Sequence, residues 1–176
     1  MFGLSLLNEG AFLGALLHVI FHSLAKNTLF MSAGAIIHKT GKTRVDELKG
    51  TGKQMPCVMW CFLLASLSLV GIPPLAGFVS KWYLAVGSLE SGISTASWLG
   101  PLILLVSALL TAGYLLPICI NAFLPGRDFE PASSEKKEPS WLMLLPLFIL
   151  SAFSLILGIW PSALTGILAD IASAVL

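Results

Sequence analysis

The sequence predicts an all-α integral membrane protein. It is expected to have about five transmembrane helices, one of them broken near a Gly-Pro-Pro segment, and a C-terminal amphipathic helix. Three observations carry that prediction. Of 176 residues, 56% are hydrophobic and only 11% are charged, against about 25% charged in ordinary globular domains. The mean hydropathy is +0.90. The apolar residues also gather into runs that approach the 20 or so needed to cross a bilayer. So short a chain cannot hide this much apolar surface in a water-soluble core. A net charge of +1 gives no reason to expect nucleic acid or an acidic partner.

The five candidate spans run from about 11–37, 56–70, 74–89, 99–124 and 141–160, within a single membrane domain covering 1–176. The first is a long apolar run interrupted by His18, His22 and Lys26. The second starts at Pro56, a residue favoured in the first helical turn. The third follows almost without a loop and contains Lys81. The fourth is "WLGPLILLVSALLTAGYLLPICINAFL", and the fifth carries Trp141 and Trp160 at its ends, where an interfacial aromatic belt places them. The opening "MFGLSLLNEG" lacks the basic region and cleavage site of a signal peptide, so insertion is expected to use the spans themselves.

The connections are polar. "HKTGKTRVDELKGTGKQ" (38–54) carries five Lys/Arg and a Thr-Gly turn between short β-capable pieces, so a small hairpin is expected there. "PGRDFEPASSEKKEPS" (125–140) reads as an exposed loop. In the tail, 162–176, Leu164, Ile167, Leu168, Ile171 and Val175 form a stripe opposite Thr165, Asp170 and Ser173. The tail is too short to span and fits an amphipathic helix at the interface or against a neighbour. With five spans, the basic first connection and the charged loop fall on opposite sides, and the positive-inside rule puts the first connection in the cytoplasm.

Charges inside spans are costly and usually mark ion pathways or relays. Lys26 lies too deep in its span for easy snorkelling. His18, His22 and Lys26 are spaced four apart and fall on nearly one helix face, drifting about 40° per step. Lys81 follows "GIPPLAGFVSKWY", where two prolines remove backbone donors and Gly71 and Gly77 permit non-helical dihedrals. Freed carbonyls near a charge at a helix break are how transporters build ion sites. A plain tight turn between two helices fits the same residues.

Other chemistries fare worse. His18 and His22 have metal-compatible spacing, but Val19 stands where a zincin needs Glu, and no third ligand lies nearby. Two histidines four apart on one face cannot clamp a haem. "GFVSK" lacks the G-x-S-x-G of a serine hydrolase. Cys57 and Cys61 have three residues between them rather than two, so all three cysteines read as packing residues. No metal and no cofactor is expected in this chain. What remains is proton handling. Histidine titrates near neutrality and burial draws a lysine toward it, so a His-His-Lys row is a ladder of sites that bridging waters can connect. Thr28, Ser32 and Tyr114 are candidate hydroxyls, each also readable as packing.

Taken in order, "LLHVIFHSLAKNTLFMSAGAIIHKTG", "DELKGTGKQMP" and "LSLVGIPPLAGFVSKWYL" resemble the second half of the proton-translocating antiporter-like membrane subunits. That family covers the large membrane-arm subunits of respiratory complex I, related subunits of group 4 hydrogenases, and the A and D subunits of Mrp-type sodium/proton antiporters. The resemblance spans roughly residues 8 to 124, and the later segments look closest to the D-type subunit. It implies that Lys26, with His22 and His18, is a central proton relay and that Lys81 is the group near the outer exit. It also implies an outer β-hairpin after the first span, which reverses the orientation given by the charge count, and an amphipathic coupling helix at 162–176.

A full member has about fourteen spans in two inverted repeats, so this chain resembles only the C-terminal part. The resemblance then implies other membrane subunits as partners, one of them supplying the missing half with its glutamate–lysine pair. It also implies the prokaryotic inner membrane as location, and protons, with sodium as a second candidate, as cargo. Redox chemistry, if the complex is a quinone oxidoreductase or hydrogenase, belongs to partners. Three functions stay open: a proton-conducting subunit or half-subunit, a structural or truncated non-conducting piece of such a complex, and a small independent cation or proton carrier.

Overall fold

The structure, a computed structural model, describes residues 3, 6, 8–92, 94–126 and 136–175. Most of the expected charged loop, 127–135, lies outside the described residues. Among those described, every regular element is helical. Helix α1 runs Glu9–Thr40, followed by a 3₁₀ turn at Val45–Leu48 and a one-turn helix α2 at Thr51–Gln54. Then come α3 (Pro56–Val70), α4 (Ala76–Glu90), α5 (Ser94–Phe123), α6 (Trp141–Ile159) and α7 (Ser162–Val175).

Helix α1 is bounded by chemistry legible in the chain. Asn8 caps it by accepting from the Gly10 and Ala11 N–H groups at 2.8 and 3.3 Å, and Gly41 closes it in the left-handed conformation at φ 70°. The hairpin expected in 38–54 does not form. Helix α1 continues through Thr40, and the Glu47 carboxylate then accepts from the Thr43 and Arg44 N–H groups at 3.1 Å each. That local side-chain bond takes up donors a strand ladder would need and winds the segment into the 3₁₀ turn.

Helices α3 and α4, expected as two spans, lie in series. At 15 residues each they are about 22 Å long, short of the roughly 30 Å hydrocarbon layer. Both run antiparallel to α1, one after the other. Val58, Met59 and Phe62 of α3 share a core with Leu29, Ala35 and Ile36 from the C-terminal half of α1. Along the N-terminal half, Gly14 packs so closely that a Cβ there would come within 2.7 Å of the Leu84 backbone nitrogen of α4, and Gly87 abuts Ala11. The two pieces therefore form one path, interrupted at 71–75.

Helix α5 returns antiparallel to that path, its end held where the Gly50 N–H donates to the Asn121 carbonyl at 3.1 Å. Helix α6 runs beside α3 in the same direction, from Glu138 at the Cys57 N–H (2.6 Å) to Ser154 at Ser68 (3.1 Å). By length and composition α5, from Ser97, and α6 can each cross a membrane. The stripe expected on α7 is divided between two faces. Leu164 and Leu168 pack on α1 and the start of α4, whereas Ile167 and Val175 face outward, each over 60% exposed. Two apolar cores result, one around α3 and one around the α1–α4 contact. A polar seam lies between them.

Candidate functional site

The seam is built at the α3–α4 break. Gly71 ends α3 at φ 93°, a left-handed conformation that glycine adopts without steric cost. Its N–H and that of Ile72 both donate to Leu67 O, at 3.0 and 3.1 Å. The carbonyls of Leu69 and Val70 accept instead from the Lys81 ammonium, at 2.9 and 2.7 Å. Lys81 thus fills the orphaned C-terminal end of α3, where the helix dipole favours a cation. Across the break, the Gly77 N–H donates to Ser68 Oγ at 3.2 Å. A Cβ at Gly77 would fall on the Ser68 carbonyl, so the two half-helices approach this closely only because residue 77 is glycine.

From the α1 side, His18 Nδ1 lies 3.0 Å from Ser80 Oγ, and the His18 and His22 ring centroids are 5.7 Å apart. His18, His22, Ser68 and Lys81 line one cavity of ≈ 10 Å³, room for about one water molecule. The sequence-singled residues His18, His22 and Lys81 are therefore brought together. Lys26 is not part of that cavity. It lines a separate cleft of ≈ 220 Å³ with Phe30, Phe62 and Tyr114, about one helical turn beyond His22 on α1.

Of the candidate hydroxyls, Tyr114 joins Lys26 in that cleft. Thr28 is turned back onto the Leu24 carbonyl at 2.8 Å, and Ser32 is buried. Sequence reasoning missed three serines. Ser80 was signalled by its place beside Lys81. Ser68 and Ser154, hydrogen-bonded across 86 residues of sequence, carried no local signal. Cys61 and Cys119 are buried and Cys57 half-buried, all three free. The described residues hold no group of three or more His, Cys, Asp or Glu arranged to bind a metal.

Residues 1–111 match the family described as "NADH:quinone oxidoreductase/Mrp antiporter, TM". The chain belongs to this family. Among relatives, it is 39% identical over 168 residues to the N-type subunit of the NADH-quinone oxidoreductase of Desulforudis audaxviator, covering 90% of this chain and 33% of that protein. It is 33% identical over 159 residues to the D-type subunit of the Na(+)/H(+) antiporter of Bacillus subtilis, covering 90% and 31%. Identity over the aligned residues is higher to this N-type subunit than to this D-type one. The fold is shared with a chain of the Mrp complex from Dietzia sp. DQ12-45-1b (TM-score 0.84, 22% identity, 97% of this chain and 39% of that one). It is also shared with a chain of respiratory complex I from Thermus thermophilus (0.80, 21%, 98% and 35%). The chain spans about a third of the length of the two relatives named here. Family membership, together with two helices apolar enough to cross, makes it a membrane protein.

Proposed function

We propose that this chain is the C-terminal part of a proton-conducting, antiporter-type subunit working inside a larger membrane complex, with Lys81, His18, His22 and Lys26 as its relay. The observation that carries the reading is the cavity at the α3–α4 break, where two histidines and a lysine held by carbonyls meet around space for one water. Likeness to subunits named for quinone oxidoreduction and sodium/proton antiport supports it.

In this reading Lys81 rests as an ammonium on the Leu69 and Val70 carbonyls, hydrogen bonds made stronger by the charge. It releases its proton into the cavity, where the histidine nitrogens accept it directly or through one water. His22, four residues from Lys26 on the same helix, passes protons between the cavity and the Lys26 cleft. Like charges in a poorly screened interior disfavour one another, so protonation of the two lysines alternates.

The crossings in this reading are four, α1, α3–α4 in series, α5 and α6, with α7 packed alongside, all in one membrane domain. His22, Ser23 and Asn27 form an exposed polar stripe on α1. Lipid satisfies such groups poorly, so a neighbouring membrane subunit or the remainder of a longer chain covers them. The location is the inner membrane of a prokaryote, and the cargo is protons, with sodium exchanged elsewhere in the complex.

The test is to recover the tagged chain with its native partners in mild detergent, reconstitute the complex, and measure proton flux for wild type and Lys81→Met. Flux lost with assembly intact supports a relay. Assembly lost together with flux points to a structural subunit, and recovery of the chain alone to a non-conducting piece.

A further inference from the structure

We propose that the cleft between the C-terminal half of α1, the 3₁₀ turn, α3 and α5 binds one anionic phospholipid, part of one acyl chain in the cleft and its phosphate between Lys42 and Arg44. The cleft measures ≈ 200 Å³ and is walled by apolar side chains, among them Ile37, Val45, Leu48 and Phe62, with Lys42 and Arg44 as its charged lining residues. Ile37 and Val45 are 47% and 58% exposed, large apolar groups left open beside two cations. It lies just past Gly41, where α1 ends. An end of a membrane helix is where lipid headgroups meet acyl chains, and basic clefts between helices at that level suit anionic headgroups.

The local acids offset these cations only in part. Glu47 takes its hydrogen bonds from the Thr43 and Arg44 backbone N–H groups and also lies within electrostatic reach of Arg44 and Lys42, but residues 39–53 hold five Lys/Arg against two acids. Asp46 meets Arg44 at 3.7 Å, with both side chains more than three-quarters exposed, a pairing of little worth that a phosphate can replace. Arginine offers phosphate two parallel N–H donors. Lys42 has no ion-pair partner among the described residues. Lys39, Lys49 and Lys53 add positive charge to the same connection. Apolar walls alone would take any acyl chain, and the paired cations select an anionic one.

The test uses the chain in its native assembly, exchanged into neutral detergent and offered phosphatidylglycerol or phosphatidylcholine with identical acyl chains, with bound lipid read by native mass spectrometry. One phosphatidylglycerol should stay bound under conditions that strip phosphatidylcholine. Lys42→Ala with Arg44→Ala, both in an exposed connection, should weaken it about 30-fold. Val45→Asp, which places a charge in the path of the acyl chain, should weaken it too. Equal retention of the two lipids, or retention unchanged in the double variant, would overturn the proposal. So would full displacement by inorganic phosphate together with indifference to Val45→Asp, which would make the cleft a simple anion site.

Discussion

His18 Nδ1 and Ser80 Oγ, 62 residues apart in sequence, sit 3.0 Å from each other. Ser80 also donates to the Gly77 carbonyl at 3.2 Å. A hydroxyl has one proton to give. With that proton on Gly77, Ser80 accepts from His18 Nδ1–H, and Nε2 is left as the basic nitrogen of the ring. Ser80→Ala should therefore cut proton flux about tenfold or more, in the range of a misplaced acid–base group, while the complex still assembles. Ser80→Thr, which restores a hydroxyl, should recover much of it. Nitrogen NMR on histidine-labelled protein in bilayers separates this from a packing effect, because only loss of the Ser80 acceptor should change the His18 tautomer signal.

Lys81 has two tasks that substitution can pull apart. Its ammonium satisfies the Leu69 and Val70 carbonyls, and in the proposed relay it also gives up a proton. Lys81→Arg should keep the first and abolish the second, since a guanidinium holds its charge at all working pH values. The expected outcome is full assembly, a thermal midpoint near wild type, and flux down at least a hundredfold. Lys81→Met leaves the carbonyls without a donor and should also cost about 1–3 kcal/mol of stability. Normal flux in Lys81→Arg would remove Lys81 from the relay.

The break itself depends on Gly77. A methyl group there meets the Ser68 carbonyl, which is backbone and cannot swing away. Gly77→Ala should separate α3 from α4, break the Gly77–Ser68 hydrogen bond and lower the thermal midpoint in detergent by several degrees. Gly34→Ala, where nothing lies within 4 Å, is the matched control and should not lower it, since alanine favours the helix interior more than glycine does.

How much of this was legible follows from which interactions are local. Pro56 marked the start of α3, and the Gly-Pro-Pro run marked the break. The serial alignment of α3 and α4 along α1 was not legible. It depends on Gly14 and Gly87 meeting residues some 70 positions away, and periodicity within one segment carries no such information. The histidine–lysine row was visible as spacing, yet only the tertiary fold divides it, placing His18 and His22 with Lys81 and leaving Lys26 beside Tyr114. The hairpin expectation failed because turn residues were weighed without the Glu47 carboxylate, whose bonds lie within four residues.

Glu47 provides a pH test of that connection. The Arg44 and Thr43 N–H groups hold its carboxyl below the usual carboxylate range. A carboxyl lowered in the fold adds order above its free-chain pKa and loses it as pH falls through the folded value. Amide protection at Thr43 and Arg44, corrected for intrinsic exchange, should hold at neutral pH and be lost as the pH falls below the range of a free glutamate. Glu47→Gln should remove the pH step. A step of the same size in the variant would mean another group controls the turn.

In the proposed relay His22 connects the two lysine sites, and it is the simplest member to remove. It is exposed on α1, so His22→Leu should change stability by no more than about 0.5 kcal/mol. If protons pass between Lys26 and Lys81 through its ring, flux should drop ten- to a hundredfold with assembly, Lys81 contacts and the Ser80–His18 bond intact. His22→Gln, which keeps polarity and hydrogen bonding but cannot carry a proton, should be as impaired as His22→Leu. Near-normal flux in the glutamine variant would mean that water, rather than the imidazole, bridges the two sites. The break and its lysine would then act as a solvated gate, with the four-residue histidine spacing serving only to hold that water in place.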